Sequence, residues 1–141
     1  MPFAFYVETL ATAHVYKYGV ASTVACTPSS VFKRGMRIVW RFEVFDTSTG
    51  KRLTDKDGAT IKVQIPNGDE ETARFSQRAG GRVPDAPFMW SAAWDIPPDY
   101  PLGSFDYAIA VTAKDGRKGT FKQPALVNPA QNLDSKVKII N

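Results

Sequence analysis

The chain has 141 residues, 43% of them hydrophobic and 23% charged, with a formal net charge of +4. That is enough chain for one globular domain with a real core, too little for two comfortable ones, and too apolar for a disordered protein. A mild positive charge spread along the sequence is far from the concentrated basic surface of a dedicated nucleic-acid binder, so nucleic acid is not expected as a partner. The single cysteine, Cys26, excludes an internal disulfide and any multi-cysteine zinc site. No apolar run approaches the roughly 20 residues that cross a bilayer as a helix.

In chain order, residues 1–13 are apolar in patches (Phe3, Phe5, Tyr6, Val7, Leu10) and stand outside the turn-and-strand rhythm that follows, which favours an N-terminal extension that contacts a partner, with an extra strand on the chain's own sandwich as the alternative. Glu8, His14 and Lys17 interrupt the apolar start and no basic segment precedes it, so no secretion signal is expected. The tetrapeptide TVAC at 23–26 is close to a lipoprotein cleavage site, but Thr23 stands where a larger aliphatic residue belongs. A buried apolar thiol is the better reading of Cys26.

Weak alternation runs through 14–25. It becomes strong over 36–45, where Met36, Ile38, Trp40, Phe42 and Val44 alternate with Arg37, Val39, Arg41, Glu43 and Phe45. A period of two over that span predicts a half-buried strand. Further strands are predicted at 59–65, 71–78, 88–94, 105–111 and 119–126, the last on an edge because Pro124 cannot donate to a central ladder. TSTG (47–50), DKDG (55–58), PNG (66–68) and KDG (114–116) are turn sequences whose glycines can take positive φ. No segment carries a helical period. About seven short strands with one apolar face predict an all-β fold, an antiparallel sandwich over 14–127, with 128–141 as a C-terminal tail ending in Val137, Ile139 and Ile140.

The run 94-WDIPPDYPLGSFDYAIAVTAKDG-116 decides what kind of sandwich. Trp94 and Ile96 finish one strand, Pro97, Pro98 and Pro101 stiffen a crossing by fixing φ, and Leu102 is expected to plug the bottom of the core. Gly103 turns the backbone into the next strand, which carries Tyr107. The run resembles the tyrosine corner of immunoglobulin-like and fibronectin type III sandwiches, where a tyrosine hydroxyl bonds to upstream backbone. It is also similar to bacterial immunoglobulin-like and macroglobulin-type modules, which show a proline-rich loop, PLG, an aromatic strand and a DG turn. The resemblance spans about residues 33–122 and implies a seven-strand immunoglobulin-like fold whose members mostly bind, space or brace other proteins. The chain departs from it in having no cysteine pair and in placing Tyr107 further beyond the PLG, so that Phe105 competes for the corner's inward position.

Residues with chemical potential are sparse. His14 and Cys26 are the only histidine and cysteine, and on one strand they would lie roughly 40 Å apart at ~3.3 Å per residue, which makes no dyad. Asp55 and Asp57, and then Asp69, Glu70 and Glu71, flank turn glycines. Their spacing does not match an EF-hand loop, and they read as solvated hairpin turns with no metal expected, a calcium site formed by loops at one sandwich end being the alternative. The stretch 79-AGGR-82 has neither the lysine nor the helix of a phosphate loop. Arg37 and Arg41, with Arg74 and Arg78, would form a stripe for anions if their strands shared a sheet, against the commoner solvated charged face. Phe88, Trp90 and Trp94 share one strand face and could stack on sugar rings; core is the alternative for all three.

The sequence therefore predicts a non-catalytic immunoglobulin-like accessory or structural subunit, without cofactor, that docks on a larger protein assembly or on copies of itself. The expected contacts are Phe3, Phe5, Tyr6, Arg82, Val83, Pro84, Asp85, Ile139 and Ile140: the two apolar termini and the Gly/Pro loop 79–87, since long loops at sandwich ends carry recognition, with a plain connector as the alternative for the loop. The competing function is a carbohydrate-binding module using Trp90 and Trp94. The fold type leans towards an extracytoplasmic or virion surface.

Overall fold

The computed structural model describes residues 2–11, 17–18, 27–77, 84–122 and 137–141. In chain order the strands are β1 (Phe3–Ala11), β2 (Thr27–Pro28), β3 (Val31–Lys33), β4 (Arg37–Asp46), β5 (Lys51–Arg52), β6 (Thr60–Gln64), β7 (Glu70–Thr72), β8 (Arg74–Gln77), β9 (Phe88–Asp95), β10 (Gly103–Phe105), β11 (Ala108–Thr112), β12 (Lys118–Lys122) and β13 (Val137–Ile140). Helical structure among the described residues is one 3-10 turn, Asp55–Asp57. The fold is all-β, with more strands than the seven expected.

One sheet has the order β2-β1-β4-β9-β8, with β5 also paired to β4; a second has the order β12-β11-β6-β7. Both are antiparallel throughout. A small third sheet, β10-β13-β3, is mixed, because β13 runs parallel to β3.

The strict alternation of β4 sends Ile38, Trp40, Phe42 and Val44 inward, all 0% exposed. Ile61 and Val63 of β6, and Ile109 and Val111 of β11, meet them from the second sheet as part of one buried cluster. Trp40 lies 5.3 Å from Tyr107 between ring centroids, and Phe5 of β1 lies 5.5 Å from Phe121 of β12. Each large aliphatic or aromatic side chain so buried contributes about 1.5–3 kcal/mol. Among the described residues the indole N–H of Trp40 has no hydrogen-bond partner, so hydrocarbon packing holds this ring.

At one end the sheets close differently. Arg117 donates from Nη1 and Nη2 to the two oxygens of Asp46, at 3.1 and 2.8 Å, and from Nε to Asp115 at 2.8 Å. Ser48 donates its backbone N–H and hydroxyl to Asp46 Oδ1 at 2.9 and 2.6 Å. The guanidinium also lies 5.5 Å from the centre of the Phe3 ring. Phe3 in turn rests on Gly119, where an added Cβ would come within 2.7 Å of the ring.

Three sequence expectations change here. Residues 3–11 are not an outlying extension: β1 pairs with β4 from Phe3 opposite Asp46 to Ala11 opposite Ile38. The tail residues 137–140 form β13, with Val137 and Ile139 buried between β10 and β3. The expected single strand at 71–78 is two: Ala73 still donates to Ile61 O at 2.8 Å, and beyond it the chain leaves the second sheet and pairs with β9 as β8.

The crossing loop is also refilled. Leu102 is 55% exposed and plugs nothing. Tyr100 N donates to Pro97 O at 3.1 Å, and the turn so made swings Tyr100 inward, edge-on to Trp94 at 5.1 Å and against Phe105 at 5.8 Å. Gly103, at φ +119, then re-aims the chain, a conformation that a side chain would strain. Tyr107 is buried, and that burial raises its hydroxyl pKa well above the ordinary value.

Candidate interaction surfaces

The described part of the predicted recognition loop ends the β8–β9 connection. Pro84 and Asp85 form an exposed turn, with Asp85 in the left-handed region at φ 62, which aspartate tolerates better than most residues. Gln77 Nε2 donates to Ala86 O at 3.1 Å and ties the returning loop to β8. Arg82 and Val83 lie outside the described residues, as do Arg78, His14 and Cys26.

Beside this turn lies an aromatic pair. Phe88 shares the face of Trp90, yet at the start of β9 it is 45% exposed. It stacks on Phe75 of β8, with centroids 5.8 Å apart and planes 24° from parallel, while Phe75 also leans on Trp90 at 5.3 Å. Arg52 covers the Phe75 ring at 5.6 Å and donates to Glu43 at 2.9 Å and to Phe88 O at 3.1 Å. The result is an apolar knob with a charged rim. The alternation of 71–78 against 88–94 could have paired Phe75 with Trp90. Arg52 carries no such signal, because its strand is two residues long.

The other expected contact residues divide. Phe3 and Ile139 are each 1% exposed and belong to the core of this chain, which leaves them no surface for a partner. Phe5 and Ile140 are half-buried, and Tyr6 is 52% exposed, its hydroxyl donating to Glu8 at 2.7 Å. Trp90 and Trp94 are buried, with indole N–H groups donating to Leu53 O and Asp69 at 3.1 Å each. A sugar platform needs those rings in water, and neither is there.

Arg37, Arg41 and Arg74 sit on one sheet. Arg41 of β4 and Arg74 of β8 both lie opposite Ser91 of β9. Arg37, however, is committed to a two-pronged pair with Asp95 at 2.8 and 2.9 Å. The acidic turns also have structural employment. Asp57 accepts from Thr54 N at 2.7 Å in a capping box, and Asp69 accepts from Asn67 and Trp94. Among the described residues no group of three histidine, cysteine, aspartate or glutamate side chains is placed to hold a metal ion. Glu71 has its carboxyl pKa raised, first by burial and then by the neighbouring Asp69 and Asp95.

An open groove of about 690 Å³ runs between the β6–β7 turn and the β10–β11 link, lined by Gln64, Pro66, Asp106, Tyr107 and Lys122 among others. It offers the carboxylate of Asp106 and the ammonium of Lys122. No helix among the described residues is long and apolar enough to cross a membrane. No protein-family model and no curated protein sequence matches this chain.

Proposed function

We propose that this chain is a non-catalytic immunoglobulin-like module, an accessory or structural subunit that docks on a larger protein assembly. The Phe75–Phe88 pair carries the reading: an ordered aromatic surface, rimmed by Arg52 and Glu43, at the end of a sheet where a long loop returns. Aromatics held rigid at low entropic cost, with polar groups around them, are what protein interfaces use as anchors. The strand order supports the immunoglobulin-like part. The row β8-β9-β4-β1 faces β12-β11-β6-β7, as strands D-E-B-A face G-F-C-C′ in such sandwiches.

The test is a tagged chain purified from its own cells. Wild type is expected to elute within a larger assembly, and Phe88→Glu to elute free while melting at the same temperature. Equal elution of the two in a large assembly, or a free wild type, would remove this surface from the docking role. In the purified assembly, His14→Ala and Cys26→Ser should leave any activity within a few-fold of wild type. A loss on the order of 100-fold with folding intact is what removing a general base or nucleophile produces, and would make the chain an enzyme.

A further inference from the structure

The four-stranded sheet ends in two unlike edges. Among the described residues β12 pairs with β11 alone and β7 with β6 alone. The β12 edge presents Lys118, Thr120 and Lys122 to solvent, and the β7 edge presents Glu70 and Thr72, with Asp69 and Glu71 on either side of Glu70.

The hydrogen-bond phase of each edge follows from its neighbours. Ala113 N donates to Arg117 O at 2.8 Å. Counting by twos, Val111 with Gly119 and Ile109 with Phe121 are the bonded pairs of the β11–β12 ladder. The N–H and C=O groups of Lys118, Thr120 and Lys122 therefore point to the free edge. On the other side, Ile65 N donates to Asp69 O at 2.9 Å and Ala73 N to Ile61 O at 2.8 Å, which makes Val63 and Glu71 a bonded pair. Glu70 and Thr72 then aim their backbone groups outward.

The cross-strand rows run Lys122–Ala108–Gln64–Glu70 and Thr120–Ala110–Lys62–Thr72. Since the four strands alternate in direction, β12 of a second copy laid against β7 runs antiparallel. The rows then continue unbroken: Glu70 meets the second copy's Lys122, Thr72 meets the second copy's Thr120, and both are residues with outward backbone groups. Charged and threonine pairs across antiparallel strands each stabilise by about 0.2–1 kcal/mol.

We propose that the chain assembles head to tail with copies of itself, β12 of one copy adding to β7 of the next. The proposal rests on reading the chain as an assembly module and names a second copy as a partner. Charge selects the pairing: two β12 edges would set lysines against lysines, and two β7 edges carboxylates against carboxylates. An unlike-edge contact does not exhaust itself in a dimer. With a twist of roughly 20–25° per strand, four strands turn each copy about 80–100° from the last, giving a ring of about four or an open helix. Short strands make a small contact, below the ~1,000 Å² of stable interfaces, so the association is weak and concentration-dependent.

Sedimentation equilibrium of the purified chain in low salt tests it, from about 10 μM to about 1 mM, the range suited to so small an interface. The weight-average mass should climb with concentration and fall back in high salt. Thr120→Pro removes an N–H that the β11 ladder does not use, so it should hold the mass at the monomer value while leaving the melt intact. Glu70→Lys alone, and Lys118→Glu with Lys122→Glu, should each be monomeric, and an equimolar mixture of the two should associate again. A wild type that stays monomeric throughout, association that survives Thr120→Pro, or a mixture that stays monomeric would overturn the proposal. None of these outcomes touches co-elution with a different protein through Phe88, which stands or falls on its own experiment.

Discussion

Between β4 and the start of β11 the two sheets meet through Trp40 and Tyr107, the residue just before β11; at the Asp46 end they meet through a carboxylate and a guanidinium. The centre is held by contact area alone, to the point of leaving the Trp40 N–H unpaired among the described residues. The end is held by directed bonds, two from Arg117 and two from Ser48 onto one aspartate. Area is indifferent to direction and to pH; a fork-shaped pair fixes where β12 lies relative to β4, and it titrates. The centre therefore supplies most of the cohesion, and the Arg117 clasp sets alignment.

Substitutions separate the two contributions. Trp40→Ala should cost the most, about 3–5 kcal/mol, the usual range for emptying a large aromatic site. Urea melts would show it at any pH, and a loss under ~1 kcal/mol would mean that the centre is not held by area. Gly119→Val should cost about 1–3 kcal/mol by overpacking, because its Cβ must displace the Phe3 ring that sits beneath the clasp. A neutral result would show that β1 yields freely.

Asp46→Asn should be felt less, and only where the carboxylate is charged. Hydrogen bonds from Arg117, and then from Ser48, hold the Asp46 pKa well below its ordinary 3.8. The folded state thus binds that proton less readily than the unfolded chain does. Its contribution is complete above pH 3.8 and is lost as the pH falls below it. Melting temperatures of wild type and Asp46→Asn should differ most near neutrality and converge in acid; a constant gap would make the clasp a matter of shape rather than charge.

The smallest effect has the opposite sign. Burial, with Asp69 and Asp95 nearby, raises the Glu71 pKa above 4.5, so its ionised form opposes folding at neutral pH. Glu71→Gln should therefore raise the melting temperature slightly at pH 7 and leave it unchanged well below 4.5. A lowered melting temperature at pH 7 would mean that the charge is used by a favourable contact.

What the sequence showed clearly was whatever a buried face imposes on a strand. β4 was legible because every second residue is inward over its whole length, and the turn glycines because Gly68 and Gly116 do sit at φ 95 and 90. β1 was not, because Leu10 and Ala11 are both buried and break the period. Hydropathy alone favours Leu102 as the core plug; the turn from Pro97 to Tyr100 decides instead, and turn geometry is invisible to a hydropathy pattern. The candidate interaction surface was half legible. The loop near Pro84 and Asp85 was marked by glycines and prolines, whereas the Phe75–Phe88 stack needs the β8–β9 register. Asp46, at the end of β4, and Arg117, just before β12, lie far apart along the chain, with nothing local to match them.

The seat of Phe3 on Gly119 has a consequence for the order in which the molecule takes shape. The ring at position 3 is synthesised well before its support at position 119, so that contact closes all the chain between them into one long loop. Neighbours so distant in sequence are slow to find each other, and folds dominated by them mature in milliseconds to seconds rather than microseconds. During synthesis β1 can zip onto β4 early, but one side of Phe3 stays bare until β12 has left the ribosome. Nascent chains halted before residue 119 should be open to proteases at their N-terminal strand, and released chains should resist them.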